Sequence, residues 1–529
     1  MDSEAVQEIE LKLEADPDVL SRVRRSRLIA DLASDAASTQ QIETTYFDSP
    51  DQRLAKKKIA LRIRKRGRQY EQTAKAETKA NGAAPMRLEW SAATDGLAPR
   101  PELIGDSEIR KRVAKLVAKG DLAPYCKTRV KRTLRKLTTE EGDQIELAFD
   151  AGELVVPDGA EIGESAPISE LELELKSGNP RSLVTLARRL AEEFPVRLAV
   201  KSKAERGLEL AAHTRYRPRK AGDVELGSDS SVDAGFGAVL THCLHHALAN
   251  EDAILQALDP EGVHQMRVAL RRLRSAIGAF GKPLRTNEIA RLRSEAKWLA
   301  DQLGKARDYD VFISETLEPL MAMRPSDERL ALFERLIRSQ REEAWRAARE
   351  AIGSARYRLL MIDLGCAIAC EAWRSDETEP EAAAILASTL TSHAKRVLAK
   401  RLSKASDLGE RIEQLDIAER HQLRIELKKL RYAGEFFESL FPPKATSAYL
   451  KTVAELQQIF GYLNDSATAD KIIQRVLAAN QDPHEQTAIA WASGIVTGWH
   501  AVRTNEAWSH AQERWKALAK SEVFWLDGT

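Results

Sequence analysis

The spacing of apolar residues changes once along this chain, and that change restricts the fold more than any other feature. Up to about residue 212, apolar and polar residues alternate in short runs: "EIELKLE" from Glu8, then "IALRIRKRG", "YEQTAKAE", "MRLEWSA", "KTRVKRTLRKL", "QIELAFDAGEL", "SELELELKSG" and "VRLAVKSKAERG". Alternation of this kind sends successive side chains to opposite faces of a strand. Gly, Asp, Asn and Pro punctuate the runs, and two helical patches, "DSEIRKRVAKLVAKG" and "PRSLVTLARRLAEEF", stand between them. From about residue 232 the period becomes helical and strand signals cease. The polar stretch 213–231, rich in Gly and Ser, reads as a linker. An α+β chain is expected, with an antiparallel sheet and a few helices over 1–212 and an all-α domain over 232–529.

The helical half repeats itself. "HQMRVALRRLRSAIGAF" begins at His264 and "HQLRIELKKLRYAGEFF" at His421, 157 residues later; Gly304 and Gly461, then Asp308 and Asp465, keep the same offset. Three anchors at one spacing predict two sub-bundles, about 232–375 and 385–525, copied from one ancestral hairpin set.

At 529 residues the chain calls for two or three domains. Its net charge of +1 conceals 81 basic and 80 acidic residues, so any anion-binding role needs local clustering. Four cysteines form no framework, and Cys366 and Cys370 in "CAIAC" read as small buried hydrophobes in a reducing compartment. The start lacks an apolar signal region. The most apolar stretch, "YRLLMIDLGCAIACEAW", is short and broken by Asp363. A cytoplasmic protein without a membrane partner is expected.

Parity sorts the charges of the first half. Glu8, Glu10 and Lys12 share one face of the first run, and Arg62, Arg64 and Arg66 one face of the next. Arg87 goes with Glu89, and Lys127 with Arg129 and Lys131. Glu146 leads to Asp150, and Glu170, Glu172, Glu174 and Lys176 alternate with leucines. Lys201 and Lys203 complete the set. A single charged face is what a half-buried strand shows to water. Here, however, the acidic rows sit on few strands, at both ends of the sheet region, with basic strands between. Like charges directly opposed need a counter-ion. A closed barrel with the charges inside satisfies both points: carboxylates hold a divalent metal while Arg and Lys receive a polyanion.

The Glu-x-Glu-x-Lys of "EIELKLE", followed in order by "TTYFDSPDQRL", "LRIRKRG", "QTAKAE", "RLEW", "SELELELKSG" and "VKSKAERG", resembles the CYTH domain, or triphosphate tunnel metalloenzyme fold, over residues 4 to 210. The resemblance implies an eight-stranded antiparallel tunnel that binds triphosphate with Mg²⁺ or Mn²⁺. It implies metal ligands at Glu8 and Glu10, opposed by Glu170, Glu172 or Glu174, with Asp150 a further candidate. Phosphate would meet Lys12, Arg62, Arg64, Lys75, Arg87, Arg129, Lys131 (or Arg132), Lys176 and Lys203, and Glu8, Glu10 and Lys12 would carry catalysis. The chemistry agrees: Mg²⁺ takes oxygen ligands, and phosphoryl transfer needs chiefly positioning and charge neutralisation.

On the helices, Arg267, Arg271 and Arg274 fall about 300°, 340° and 280° around from His264, one basic side. Met266, Leu270, Leu273, Ile277 and Phe280 form a separate apolar face. His421, Arg424, Lys428 and Arg431 repeat the stripe. With "LGKARDYDV" and "FGYLNDSAT" following the two copies, residues 232 to 525 resemble the CHAD domain, a helical module that binds inorganic polyphosphate. The resemblance implies binding by His264, Arg267, Arg271, Arg274, His421, Arg424, Lys428 and Arg431. Arg307 is a weaker candidate, since Asn464 replaces it in the second copy, and Lys395 and Arg396, with Lys400, form another basic patch. Association with polyphosphate granules would follow. His264 and His421, with His242, His245 and His246, as metal ligands are disfavoured: the last three lack a counterpart in the second copy, and arginine neighbours would repel a cation.

An inorganic triphosphatase, releasing phosphate from triphosphate or short polyphosphate, is the leading reading. Alternatives are a non-catalytic polyphosphate scaffold or sensor, and an enzyme of organic triphosphates such as a thiamine triphosphatase or class IV adenylate cyclase. Nucleic acid is a poorer partner, because no aromatics interleave the basic stripes. Oligomeric state is not legible.

Overall fold

The computed structural model describes residues 9–78, 86–158, 161–281, 284, 286–374 and 380–526. Two compact units form, one of Met1–Arg217 with Ser354–Ala372, the other of Pro218–Gly353 with Trp373–Thr529.

In the first unit the strands are β1 (Ile9–Glu14), β2 (Ser38–Asp48), β3 (Ile59–Arg66), β4 (Gln69–Thr78), β5 (Met86–Thr94), β6 (Ala123–Thr138), β7 (Gln144–Asp158), β8 (Glu161–Ser177) and β9 (Arg197–Leu198). They make one antiparallel sheet ordered β5-β4-β3-β2-β6-β7-β8-β1-β9. Nine strands, not eight, are therefore present among the described residues. The strand that alternation alone misses is β2, whose "STQQIETTYFD" is polar on both parities at its start. The run "VRLAVKSKAERG" yields only the two-residue β9, paired to Leu13 and Glu14 of β1, before the chain turns into a helix.

Pairing fixes the faces. Glu10 stands opposite Glu174 and Lys12 opposite Glu172, Arg132 opposite Asp150, and Asp150 opposite Glu170. Arg62 and Arg64 face Thr73 and Glu71, and Lys75 faces Glu89. Directly opposed residues share a face, so these charges all lie on one side of the sheet. The other side is apolar: Leu11, Leu13, Leu147, Phe149, Leu171 and Leu173 are buried there. Helices α1 (Pro17–Arg24), α2 (Arg27–Leu32), α3 (Ser107–Ala118) and α4 (Pro180–Glu193) supply the partners for that side; Val113 and Leu116 of α3, for instance, join Leu61 and Ile63 of β3. The last helix of this run, α5 (Lys203–Ala211), lies instead against β6, β7 and β8 from the charged side. Ala204 and Leu210 of α5 pack with Tyr46, Cys126, Val130 and Leu154, and a Cβ at Gly207 would collide with Cys126.

The sheet is curled. Lys75 on β4 lies close enough to Glu10 on β1 to offset part of the rise in its pKa, although the two strands are six steps apart in the ladder. A flat sheet would hold them about 29 Å apart. The charged face is accordingly the concave one.

The second unit is helical: α6 (Val232–Leu248), α7 (Glu251–Leu255), α8 (Pro260–Phe280), α9 (Asn287–Phe312), α10 (Glu318–Met323) and α11 (Glu328–Gly353), then α13 (Pro380–Ala387), α14 (Leu390–Gly409), α15 (Ile417–Phe437), α16 (Pro443–Ala479) and α17 (Pro483–Lys520). Helix α12 (Ala355–Ala369), between them in sequence, belongs to the first unit, where it packs on α4, β9 and β1. Its apolar run is thereby explained: Asp363, 3% exposed, meets Arg188 of α4 at 2.7 Å while its neighbours are buried.

The repeat is visible in space. α8 and α15 are each 21 residues long, and each is capped by an aspartate, Asp259 and Asp416, which accept backbone N–H bonds at the helix start. The two helices pack together; the equivalent residues Phe280 and Phe437 bring their rings to 5.6 Å. No described helix is long and apolar enough to cross a membrane.

Candidate functional site

On the concave face the acidic strands are β7, β8 and β1. Asp150 and Glu170 are each 1% exposed, which is tolerable for a carboxylate only with close cations. Arg132 grips Asp150 in a two-pronged contact at 2.7 and 2.6 Å and reaches Glu172 at 2.7 Å. Lys203 Nζ lies 2.5 Å from Glu170, 2.9 Å from Asp150 and 3.4 Å from Glu172, and Arg206 holds the remaining oxygen of Glu170 at 2.5 Å. Lys12 stands 3.3 Å from Glu172. Desolvation works to raise the pKa of Glu172, but Lys203, Lys12 and Arg132 together hold it far below the usual carboxylate range.

Glu10 behaves differently. It is open to water, yet enough protein surrounds it that desolvation, then the Glu172 carboxylate, raises its pKa. Both properties suit a side chain on the wall of a water-filled concavity. Glu174, opposite it, is paired with Lys176 at 2.5 Å. Asp150, Glu170 and Glu172 bring oxygens within 4.8 Å of one another and could hold a metal by proximity alone. Lys203 and Arg132 already neutralise that group. Glu10, with Glu172 and Glu174 beside it, is the carboxylate whose charge is least offset, and its oxygens fit a hard divalent cation.

The basic strands are β3 and β4. Lys75 pairs with Glu89 at 2.6 Å, and Arg62 lies 3.7 Å from the same carboxylate. Burial, with Arg62 and Arg66 beside it, pushes Arg64 down to about 10. The buried Nε atoms of Arg62 and Arg64 have no hydrogen-bond partner among the described residues. Crowded, desolvated guanidinium groups of this kind are stabilised by an anion.

The structure thus brings together Glu10, Lys12, Arg62, Arg64, Lys75, Arg132, Asp150, Glu170, Glu172, Glu174, Lys176 and Lys203. Glu8 and the side chain of Arg87 lie outside the described residues. Arg129 and Lys131 belong to the other face: they alternate with Arg132, and Arg129 pairs with Glu153 at 3.3 Å near solvent. Of the alternatives Lys131 and Arg132, only Arg132 reaches the cluster. Lys203 is there, but as the first residue of α5 rather than on a strand. Ser202 caps that helix reciprocally with Glu205, a Ser-x-x-Glu signal legible in the sequence. Arg206, one turn on, is a cluster member that sequence reasoning missed.

The helical unit contains a cavity of about 320 Å³. Its cationic wall comprises Arg267 and Arg271 of α8, Arg307 of α9, and Arg424 and Lys428 of α15, with His264 of α8 beside them. Both repeats therefore contribute. Arg267 passes over Gly304, where a Cβ would lie 2.6 Å from its guanidinium, and donates to the carbonyl of Ala300. Burial, then Arg307, lowers His264 to about 4, so it is neutral at pH 7. Arg274, His421, Arg431, Lys395 and Arg396 do not line this cavity. Arg274 stands a turn beyond Arg271, Arg431 is bound by Glu435 at 2.6 Å, and Lys395 and Arg396 sit on α14. His246 bonds Gln265 and the Arg219 carbonyl, a structural role.

Compared with known proteins, residues 6–208 match the family model of the CYTH domain and residues 238–474 that of the CHAD domain. An uncharacterised protein of Mycobacterium tuberculosis is 26% identical over 464 residues, 84% of this chain and 83% of that one. An inorganic triphosphatase of Haemophilus influenzae is 30% identical over 224 residues, which span 40% of this chain and 57% of that protein. The crystal structure of the CHAD domain from the plant Ricinus communis is 28% identical, covering 58% of this chain and 99% of that one, with a TM-score of 0.48.

Proposed function

We propose, for a chain that carries a CYTH domain followed by a CHAD domain, that the first hydrolyses inorganic triphosphate or the end of a short polyphosphate with a divalent metal, and that the second binds polyphosphate. One observation supports this reading above the rest: a single concave face sets an incompletely neutralised carboxylate row against crowded arginines. The similarity to an inorganic triphosphatase supports the same reaction class.

Glu10, Glu172 and Glu174, with Glu8, would hold Mg²⁺ or Mn²⁺, which when bound supplies neutralisation of phosphate oxygens and a more acidic water. The remaining roles belong to the chain. Arg62, Arg64 and Lys75 orient the phosphates by charge-assisted hydrogen bonds. Water attacks the terminal phosphorus, the P–O–P bond breaks, and orthophosphate and diphosphate leave; Lys12 and Arg132 stabilise the charge on the departing diphosphate. Asp150 and Glu170 keep Arg132 and Lys203 aimed into the concavity. A location in the cytoplasm and domains spanning 1–212 and 232–529 in sequence, with Ser354–Ala372 folded into the first, complete the proposal.

Phosphate release from tripolyphosphate, ATP, thiamine triphosphate and long polyphosphate, with and without Mg²⁺ or Mn²⁺, tests it. Tripolyphosphate should be turned over fastest and only with metal. Binding without turnover of any substrate would instead favour the scaffold or sensor.

A further inference from the structure

The helical cavity is not cationic all round. Beside its basic residues it is lined by Phe312, Thr316, Ala469 and His500, each no more than 4% exposed. At about 320 Å³ it has the volume of about ten water molecules, room for about three to five phosphate groups. A chain of many units cannot be swallowed, so either its flank rests on the cationic rim or its end enters.

His500 decides between these. Its Nε2 lies 3.2 Å from the hydroxyl of Thr316, in the π-helical turn Ile313–Leu317, while its buried Nδ1 has no partner among the described residues. A buried polar atom without a partner is costly, and a ligand that supplies one recovers that cost. Because a hydroxyl both donates and accepts, Nδ1 can present either a proton or a lone pair. Interior phosphates of a polyphosphate carry one fixed charge and no proton. The terminal phosphate, whose second ionisation falls near pH 6, offers both P–OH and P–O⁻ at neutral pH.

Resting on the reading of this cavity as a polyphosphate site, we infer that it is an end-reader. The terminal phosphate of a linear chain enters and meets His500 and Thr316, while the next few units lie along Arg267, Arg271, Arg307 and Arg424.

The test uses the full chain with Arg62→Ala and Arg64→Ala to silence the sheet site, in EDTA to prevent turnover. Binding to a shorter and a much longer linear polyphosphate is followed by calorimetry. End-reading predicts that two proteins saturate each chain whatever its length. It also predicts that cyclic trimetaphosphate, which has no ends, fails to compete where tripolyphosphate does. His500→Phe should weaken binding about tenfold, and Arg271→Glu should abolish it. Saturation that rises in proportion to chain length, or equal competition by trimetaphosphate, overturns the inference and leaves polyphosphate binding intact. Binding unaffected by Arg271→Glu overturns both. The stoichiometry needs no His500 variant, so misfolding of that variant would not spoil the test.

Discussion

The concave sheet face and the helical cavity both gather arginine and lysine, but they differ in how those cations are neutralised. In the sheet, Lys12, Arg132, Lys176, Lys203 and Arg206 each lie within salt-bridge distance of a carboxylate, and the imbalance is confined to Glu10 at one end and Arg64 at the other. In the cavity, among the described residues, only Asp308 and Glu315 accompany the lining Arg and Lys residues, and His264 is held neutral. An interlocked lattice of opposite charges can seat a cation and an anion side by side, as phosphoryl transfer requires. A cation-rich pocket can only hold an anion. On the proposed function, the contrast would separate a reacting surface from a gripping one.

The contrast breaks most readily at Glu10. Glu10→Gln should lower tripolyphosphate turnover by about 10²–10³ and abolish Mn²⁺ binding measured calorimetrically, while polyphosphate retention by the helical unit stays as it was. Unchanged turnover would show that the sheet face only grips. Asp150→Asn should cost about 3 kcal/mol of stability in denaturant, because Arg132 and Lys203 lose a buried partner. A variant as stable as the parent would mean the lattice is not what holds these cations.

On the cavity side, Arg271→Ala should weaken polyphosphate binding about tenfold without changing tripolyphosphate turnover, and the loss should shrink as salt is added. Coupled losses in both assays would erase the distinction between the surfaces. The smallest effect concerns His264. Its folded pKa of about 4 lies below the ordinary 6.5, so the unfolded chain binds the proton first as pH falls. Stability should therefore decline between about pH 6.5 and 4, and His264→Gln should flatten part of that slope in thermal melts. His393, also lowered to about 4 by burial, and His246 and His500, lowered by burial too, keep the remainder.

Much of this was legible in the sequence where one periodicity governs. Alternation alone puts Glu10 with Lys12 and Arg62 with Arg64, and the offset of 157 yields two helices of equal length. It fails where both parities carry the same chemistry. "RVKR" offers Arg129, Lys131 and Arg132, and only the register opposite Asp150 selects Arg132. "KSK" continues the alternation although Ser202 ends it by capping a helix. On α8 an angle places Arg274 with Arg271, but the cavity spans too few turns to include it. His500 and Thr316 carry no sequence signal, since their part depends on helices distant in the chain.

The placement of α12 has a practical corollary for anyone dissecting the protein. Because Ser354–Ala372 folds with the sheet, the polypeptide passes between the two units three times. A single nick in the stretch 213–231 would leave them tethered. A fragment ending there would leave β9 and α4 without the helix that covers them. Swapping this sheet for another by one splice would leave that orphaned helix behind in the recipient.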